Sequence, residues 1–489
     1  MDGSEKCTAG SGRIDKLLKE VFRFWGYGRQ AYEDLVGQGR PINIVERQVP
    51  APMFGRVELC DEVLARFGPL ALFCRAGWWS WLLLDGNVEL SGEPLAWFHT
   101  SEGKTHALIT RTADCAYCFG FDLDRTIRFT QNEHYCQHSA PFYVKLGVNP
   151  DQLPGWARLF GFRLMHAIRG IRRAPLRPFP TNPADPSVDG WRYLIRNIVE
   201  DHSSVEAFPL WPDGKKYAVT LSHDIDTDYC FRVPDMLTQV RETDERAGMR
   251  AAWMVVAKLA GVGKPVLDDL HAAGHEIGFH GTDHDHKLAF LPPVEMGRRI
   301  ARASELIERY GTTGFRSPSY LRTPALYQAI DGILEYDMSM HDATEGVCRS
   351  TSYNEGCSTC LPFFIAGTDV LEIPTTVRED WHYDLLGLSD PFEVLRQQIK
   401  NTELIKARGG VASILSHPEP TATSDWLSTY AKLLDHLARD EDAWMASPQE
   451  INRHWRRRQA VIDASWALAH EASAASVSAM NELTSPCAV

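Results

Sequence analysis

The chain has 489 residues, and its 64 acidic and 51 basic side chains give a formal net charge of −13. Hydrophobic residues make up 44% and charged residues 24% of the composition, which is typical of a globular protein with roughly two or three domains. Proteins that bind nucleic acid or anionic membrane surfaces concentrate Lys and Arg, so the acidic balance argues against both kinds of partner.

The first 28 residues mix charged and apolar side chains, so no secretory signal is readable there. The most apolar stretch, from Leu70 to Leu84, is interrupted by Arg75 and is about five residues too short to span a bilayer. The 11 cysteines, an odd number spread over the chain, favour reduced thiols over a disulfide framework. We therefore expect a cytoplasmic protein without a membrane span, and we leave its oligomeric state open.

Residues 1–173 are predicted to form an additional N-terminal mixed α/β region of unassigned role. HALIT (106–110) and TIRFT (126–130) have the composition of strands, and residues 155–171 have the apolar spacing of a helix. Candidate zinc ligands also occur here: Cys115, Cys118, Cys136 and His138. The last two are closely spaced for a structural zinc site, so reduced buried cysteines are the simpler interpretation and a zinc knuckle the alternative.

A cluster of five prolines between Pro175 and Pro186 ends any helical or strand period, so residues 174–188 are predicted to be a linker. Seven β-rich runs follow it and alternate with helical patterns: KYAVTLSHD, AAWMVVA, HEIGFH, GFRSP, ILEYDMSM, DVLEIPTTV and VASILSHP. The clearest helical pattern covers residues 293–310 and ends at Gly311. This alternation predicts a distorted seven-stranded parallel (β/α) barrel in residues 189–447, followed by a C-terminal helix and an Ala/Ser-rich tail in 448–489.

Two carboxylates follow the first of these strands, at the end of the sheet where barrel enzymes carry their chemistry. The segment SHDID places Asp224 and Asp226 at this point. Carboxylates two residues apart share one face of an extended segment, and they repel each other unless a cation or an Arg neutralises them. An Asx turn with a helix N-cap is the alternative interpretation.

Two imidazoles follow the third strand. In HGTDH, His280 and His284 are four residues apart, which would place both on one side of a helical turn and suit chelation of one metal ion. The pattern is not the HExxH of zincins, because His275 is followed by His280 five positions later. Surface exposure is the alternative for both, and we expect His286 to be solvated unless it replaces one of the ligands.

Together, Asp226, His280 and His284 form a two-His-one-carboxylate set. Such a set leaves coordination positions open, which is typical of a catalytic rather than a structural metal site. Asp224 would then lie beside the ion as the base for a water molecule. We expect one divalent ion, with zinc as the default and cobalt, nickel, iron or manganese as alternatives.

Two further polar residues follow later strands, Arg316 in GFRSPSY and His417 in ILSHPEP. Arg316 could pair with Asp224 and hold it ionised, or it could form a surface ion pair. An imidazole has an unperturbed pKa of about 6.5, which suits protonation of a leaving amine by His417. The alternative for His417 is a core histidine with satisfied hydrogen bonds.

SHDID, HGTDH, RSPSY and LSH resemble, in this order, the motifs of the polysaccharide deacetylase family, the NodB-homology group of metal-dependent amide hydrolases. The resemblance covers about residues 215–420. It implies that Asp224 is the general base and that Asp226, His280 and His284 bind the metal ion.

The resemblance also implies roles for the later motifs. Arg316 would pair with the base, and the backbone N–H of Ser319 would bind the oxyanion. Leu415 would form the apolar wall beside the acetyl methyl group, and His417 would be the general acid. Three positions depart from the family pattern and put the substrate in doubt: His223 in place of Phe, Gly281 in place of Ser or Thr, and Ser319 in place of an aromatic residue.

We therefore expect a metal-dependent hydrolase of a C–N amide bond, of the deacetylase type. The expected substrate is an acetylated intracellular sugar or glycan precursor, or another small amide. One alternative is a ring-opening hydrolase of a cyclic imide or ureide, a reaction also found in the family. A second alternative is a carbohydrate-binding protein without activity.

Overall fold

The computed structural model describes most of the chain. The described residues are 19–37, 42–44, 51–75, 77–84, 90–100, 102–113, 117–134, 138–148, 187–201, 206–342, 356–377 and 390–467. They divide into two compact units, of which the first lies within residues 1–135, 177–214 and 456–489 and the second within residues 136–176 and 215–455.

Several sequence predictions lie outside the described residues. These are the helix at 155–171, the linker up to residue 186, Cys115 and Cys136 of the candidate zinc knuckle, and the tail beyond residue 467. The domain boundaries at 173, 188 and 447 stay predictions.

The strands, in chain order, are β1 (Ile42–Ile44), β2 (Ala51–Leu59), β3 (Trp78–Leu84), β4 (Glu93–Thr100), β5 (Thr105–Arg111), β6 (Tyr117–Phe119), β7 (Tyr217–Ile225), β8 (Ala252–Val255), β9 (Glu276–Phe279), β10 (Gly314–Phe315), β11 (Tyr336–Asp337), β12 (Phe363–Phe364), β13 (Leu371–Glu372), β14 (Val411–Ser416) and β15 (Ala443–Met445). The helices are α1 (Arg29–Gly37), α2 (Asp61–Ala65), α3 (Ala71–Cys74), α4 (Leu123–Gln131), α5 (Phe142–Lys145), α6 (Ser187–Glu200), α7 (Tyr229–Arg232), α8 (Met236–Arg246), α9 (Ala260–Ala272), α10 (Pro293–Ala301), α11 (Ser304–Tyr310), α12 (Pro324–Ile330), α13 (Pro391–Ala407), α14 (Pro418–Thr421), α15 (Ser424–Ala438) and α16 (Pro448–Ala467).

The first unit contains a mixed α/β arrangement around a six-stranded sheet in the order β1-β6-β5-β4-β2-β3. Only the β1–β6 pair in this sheet is parallel. Aromatic rings form part of the core of the first unit. The ring centroid of Phe67 is 5.4 Å from that of Trp78 and 5.6 Å from that of Trp191. Edge-to-face packing of this kind adds stability beyond the apolar area that is buried.

One of the two strand predictions in this unit is confirmed and the other is wrong. HALIT lies within β5, whereas TIRFT lies within helix α4. The side chain of Asp122 caps that helix by accepting a hydrogen bond from the backbone N–H of Arg125. Thr126, Ile127 and Thr130 are buried along one face, so the cap and the helical spacing of buried residues outweigh the β propensity of Thr and Ile.

The second unit is built on a nine-stranded sheet in the order β12-β13-β11-β10-β9-β8-β7-β14, with β15 also paired to β7. All neighbouring strands are parallel except β12 and β13. Each of the seven β-rich runs in the sequence forms one of these strands, and the sheet has two strands more than we predicted, β12 and β15. All nine residues of β7 are buried, as expected for a central parallel strand that is covered on both faces.

The helical pattern at residues 293–310 forms two consecutive helices, α10 and α11, rather than one. Gly311 ends the second helix in the left-handed conformation (φ 59°), as its position predicts. No helix among the described residues is long and apolar enough to cross a bilayer.

Candidate active site

The end of β7 places two carboxylates in different surroundings. Ser222 and Asp224 lie on one face of the strand, and both contact the guanidinium group of Arg316. His223 points to the opposite face, where its Nδ1 lies 2.8 Å from Ser416 Oγ and its Nε2 lies 2.8 Å from Asp244 Oδ2. Asp226 follows the strand and lies beside a group of imidazoles.

The predicted metal ligands lie together. Asp226 Oδ1 is 3.1 Å from His280 Nε2 and 3.3 Å from His284 Nε2. This oxygen is buried and accepts no hydrogen bond within the described residues. Burial raises the pKa of Asp226, but the imidazoles of His284 and His280 outweigh burial and hold that pKa well below its usual range. The carboxylate is therefore ionised.

The hydrogen bonds of His280 indicate what lies between these atoms. Its Nδ1 is 2.8 Å from the carbonyl oxygen of Arg316, and a carbonyl only accepts, so Nδ1 carries the proton. In a neutral ring, Nε2 then directs a lone pair at the Asp226 carboxylate. The imidazole nitrogen and the carboxylate oxygen are both electron-rich, so they repel each other unless a cation lies between them. A hydrogen bond from Nδ1 to a backbone carbonyl oxygen, as His280 makes, commonly orients a metal-binding histidine. The donor set therefore fits a divalent cation.

The two histidines are brought together by a loop after β9, not by the helical turn that we predicted from their spacing. Gly281 (φ 72°) and His284 (φ 49°) both adopt the left-handed conformation, which L side chains rarely adopt. The loop places the two rings with centroids 5.2 Å apart. The two rings therefore meet because the loop curves, and not because a helix places residues i and i+4 on one side.

Arg316 and Asp224 form a buried ion pair, with 2.8 Å between Arg316 Nη1 and Asp224 Oδ1. The other guanidinium nitrogens donate to Ser222 Oγ at 2.9 Å and to the carbonyl oxygen of Met338 at 3.0 Å. Arg316 is therefore fixed in direction. Asp224 Oδ2 remains on the side of the metal ligands, 3.6 Å from His280 Nε2.

His417 follows β14 and lies beside the second carboxylate oxygen of Asp226. Its Nε2 lies 3.8 Å from Asp226 Oδ2, and Asp224, Asp226 and His417 each offer an atom within 4.8 Å of the others. Leu415 precedes it by two residues on the same buried strand, paired in register with Ser222 of β7.

The oxyanion donor that the resemblance implies lies on a strained turn. Ser319 has φ 53° and ψ 27° within a short 3₁₀ segment, Pro318–Tyr320. Within the described residues, its backbone N–H donates no hydrogen bond. A free N–H on a left-handed turn is a suitable donor for an oxyanion.

Sequence reasoning missed several polar groups around this site. His286 is buried at 7% exposure, so the expectation that it is solvated was wrong. Glu419 accepts a hydrogen bond at 3.0 Å from Thr227 Oγ1 and so ties the residue after Asp226 to the residues after His417. Burial and then the charge of Asp226 raise the pKa of Glu419. The repeated His in GTDHDH was a signal for His286, whereas Glu419 had none beyond its place in HPEP.

The model of the polysaccharide deacetylase family matches residues 213–333, which include both aspartates, both metal-site histidines, Arg316 and Ser319. A candidate polysaccharide deacetylase of Mycobacterium smegmatis is 17% identical and has a TM-score of 0.44, with 52% of this chain and 95% of that chain covered.

A second candidate polysaccharide deacetylase, of Pseudomonas aeruginosa PAO1, is 15% identical and has a TM-score of 0.43, over 52% of this chain and 95% of that one. The Puue allantoinase is 15% identical with a TM-score of 0.43, over 52% of this chain and 94% of that one. No curated protein matches the chain. The family match covers residues 213–333 and indicates a deacetylase-type hydrolase that acts on carbon–nitrogen bonds.

Proposed function

We propose that the protein removes the N-acetyl group from an acetylated amino sugar or glycan precursor inside the cell, in a reaction that depends on one divalent metal ion. The observation that carries this proposal is the arrangement of Asp226, His280 and His284 beside the Arg316–Asp224 ion pair. Metal ligands, an oriented carboxylate and a facing imidazole are the groups that hydrolysis of an amide needs.

Asp226, His280 and His284 would hold the ion. When bound there, it supplies Lewis-acid polarisation of the amide carbonyl and lowers the pKa of a water molecule. Imidazole and carboxylate ligands suit zinc first, and cobalt, nickel, iron or manganese as alternatives.

Asp224 is the group that takes the proton from the attacking water. Arg316 occupies one carboxylate oxygen at 2.8 Å and leaves the other oxygen directed at the ligand cluster. A base held by a buried guanidinium group loses little orientation during the reaction, and this preorganisation lowers the barrier.

Ser319 and His417 act on the amide group itself. The N–H of Ser319 stabilises the negative charge that develops on the carbonyl oxygen. His417 lies beside Asp226 Oδ2 and donates a proton to the leaving amine nitrogen, and Leu415 packs beside the acetyl methyl group. The C–N bond breaks, acetate leaves, and the amine keeps the proton from His417.

We also propose that seven of the parallel strands of the second unit, β7–β11, β13 and β14, close into a distorted barrel. Support comes from the residues beyond β13, where Val377 forms a parallel bridge with Ile414 of β14 and its N–H donates to the carbonyl oxygen of Ser413 at 3.1 Å. A second bridge joins His341 and Thr375. Closure of this kind would arrange the carboxyl ends of the parallel strands, and with them Asp224 and His417 on the neighbouring strands β7 and β14, around one pocket.

The intracellular location in this proposal is supported by the cysteines. The described cysteines at 60, 74, 118, 230, 357 and 360 are all free thiols. Free thiols in this number suit a reducing compartment.

The test is acetate release by metal-loaded protein from N-acetylated amino sugars, their nucleotide-linked forms and their oligomers. Cyclic ureides are screened in parallel. We expect acetate from at least one sugar and none from the Asp224→Asn variant. Asp228→Asn is the matched control, because Asp228 is a half-exposed carboxylate paired with Arg232 on α7. Ring opening without acetate release would favour the ureide alternative, and sugar binding without turnover of any compound would favour a binding protein.

A further inference from the structure

Three polar side chains form a hydrogen-bonded series beside the candidate active site. Ser319 Oγ lies 3.0 Å from His286 Nε2, and His286 Nδ1 lies 3.0 Å from the hydroxyl of Tyr143. The His286 imidazole is buried, and its ring centroid is 5.1 Å from that of His284. Tyr143 belongs to the short helix α5, which lies upstream of all the family motifs and outside residues 213–333.

The hydrogen bonds that join Ser319, His286 and Tyr143 can all form at the same time. A neutral imidazole has one donor and one acceptor nitrogen, and each hydroxyl can both donate and accept. Either tautomer of His286 therefore bonds to both Ser319 and Tyr143. Buried networks in which every member is satisfied hold their groups in one arrangement.

The backbone at Ser319 and at His286 needs such support. His286 (φ 61°), Ser319 (φ 53°) and Tyr320 (φ 55°) all adopt the left-handed conformation. Residues other than Gly occupy this region at a cost in free energy, and they stay there only when surrounding contacts hold them. The bond between the two side chains joins the strained turn after β10 to the strained loop after β9.

We infer that His286 and Tyr143 are positioning residues that hold the 318–320 turn, and with it the N–H of Ser319, in the orientation that stabilises the oxyanion. This inference rests on the proposed function. It assigns a role to Ser319 Oγ at a position where the family often has an aromatic residue. It also makes α5 a part of the active site.

The structure offers one competing role for the same contacts. His286 is two residues from His284, so the hydrogen-bonded series could support the loop that carries His280 and His284 instead of the 318–320 turn. The two roles differ in what the variants lose. Loss of turn support lowers kcat and leaves metal content and KM unchanged, whereas loss of loop support lowers metal content.

The experiment compares Tyr143→Phe and Ser319→Ala, each of which removes one hydroxyl and keeps the backbone N–H. Tyr229→Phe is the matched control, because Tyr229 is half exposed. We expect kcat to fall roughly tenfold in each variant, less than the 10²–10³ seen when an oxyanion donor is removed outright. KM and one metal ion per chain should be retained.

The double variant tests whether the hydroxyl groups of Tyr143 and Ser319 act through the same series of hydrogen bonds. Because both act through His286, the double variant should lose about as much kcat as one single variant, and not the product of the two losses. Multiplied losses, a kcat within about twofold of wild type in both single variants, or reduced metal content in Tyr143→Phe would each overturn the inference.

Acetate affinity separates this inference from the proposed function. Acetate presents a carboxylate oxygen to the same donors, and its binding to the metal-loaded protein is measured by calorimetry without turnover. We expect both variants to bind acetate several-fold more weakly than wild type and Tyr229→Phe. If wild type deacetylates no sugar, the proposed function fails and the acetate affinities still decide the inference. Equal affinities for all four proteins would overturn it.

Discussion

Two aspartates only two residues apart have unlike surroundings. Asp224 is paired with the buried guanidinium group of Arg316, whereas Asp226 faces the imidazoles of His280, His284 and His417. In the proposed function, Asp224 in the first arrangement is the base and Asp226 in the second is a metal ligand. The difference gives each residue a separate test.

For Asp226→Asn we expect loss of metal and activity together, because the substitution removes a negative charge that faces the cation. For Asp224→Asn we expect stoichiometric metal and a native fold, with turnover lower by roughly 10²–10⁴ because the base is lost. Metal content by elemental analysis and kcat are measured for both, with Asp228→Asn as the control. If Asp224→Asn loses the ion and Asp226→Asn keeps it, the two roles are the reverse of those proposed.

His417→Ala should keep the metal and slow turnover by roughly 10²–10⁴, the usual loss for a positioned general acid. A general acid must be protonated to act, so the decline of wild-type activity at high pH should disappear in the variant. The pH profile of kcat checks this. Nearly unchanged activity would assign His417 a structural role and leave the leaving-group proton without a donor.

Strands β11 and β13 bring two buried carboxyl groups together. Asp337 pairs in register with Glu372, and both are fully buried. Ser339 Oγ donates to Asp337 Oδ1 at 2.6 Å and also accepts from the backbone N–H of Ser317, which precedes the oxyanion turn. Burial raises the pKa of Asp337, and burial followed by the charge of Asp337 raises that of Glu372 well above its ordinary value.

The raised pKa of Glu372 has a consequence for stability. Above the ordinary value of 4.5, the folded protein holds a proton that the unfolded chain releases. The contribution of Glu372 is thus full below pH 4.5 and is lost as the pH rises through the raised folded pKa. Glu372→Gln cannot ionise, so its free energy of unfolding should fall less than that of wild type across this range. Denaturant unfolding at several pH values checks this, and parallel curves would contradict it.

The elements also indicate which parts of the fold the sequence could predict. The parallel strands of the second unit are near-continuous buried apolar runs that end in polar residues, so their positions and the carboxylates, imidazoles and guanidinium group at their ends were predictable. TIRFT was not, because a cap by Asp122 and burial along one helical face override local propensity. The pairing of His280 with His284 was predicted for the wrong reason, since left-handed loop residues replace the helical turn.

Contacts between residues that lie far apart in the sequence were not predicted. Tyr143 reaches His286 across 143 positions of sequence, and no local pattern indicates such a contact. His223 is joined to Asp244 and, through it, to Tyr430, and these partners come from two helices behind the sheet. The sequence therefore predicts the ligands of the site, whereas the contacts that orient them depend on the assembled fold.

Metal binding should also stabilise the second unit, because the ligands come from the ends of two strands and converge only in the folded chain. At a thousandfold excess of ion over its Kd, the gain is about 4 kcal/mol, or a rise in Tm of roughly 5–15 °C. Thermal unfolding with and without a chelator measures this. Asp226→Asn should lack the rise, and an equal rise in that variant would place the stabilising ion elsewhere.

The central claim is that one ion, held by Asp226, His280 and His284, enables deacetylation. Its most direct test is a titration of the metal-free protein with zinc while acetate release from an acetylated amino sugar is measured. We predict that the rate rises in proportion to added zinc and levels off at about one equivalent per chain, since the three ligands form one site. Acetate release that is independent of zinc, or no release at any zinc content, would contradict the claim.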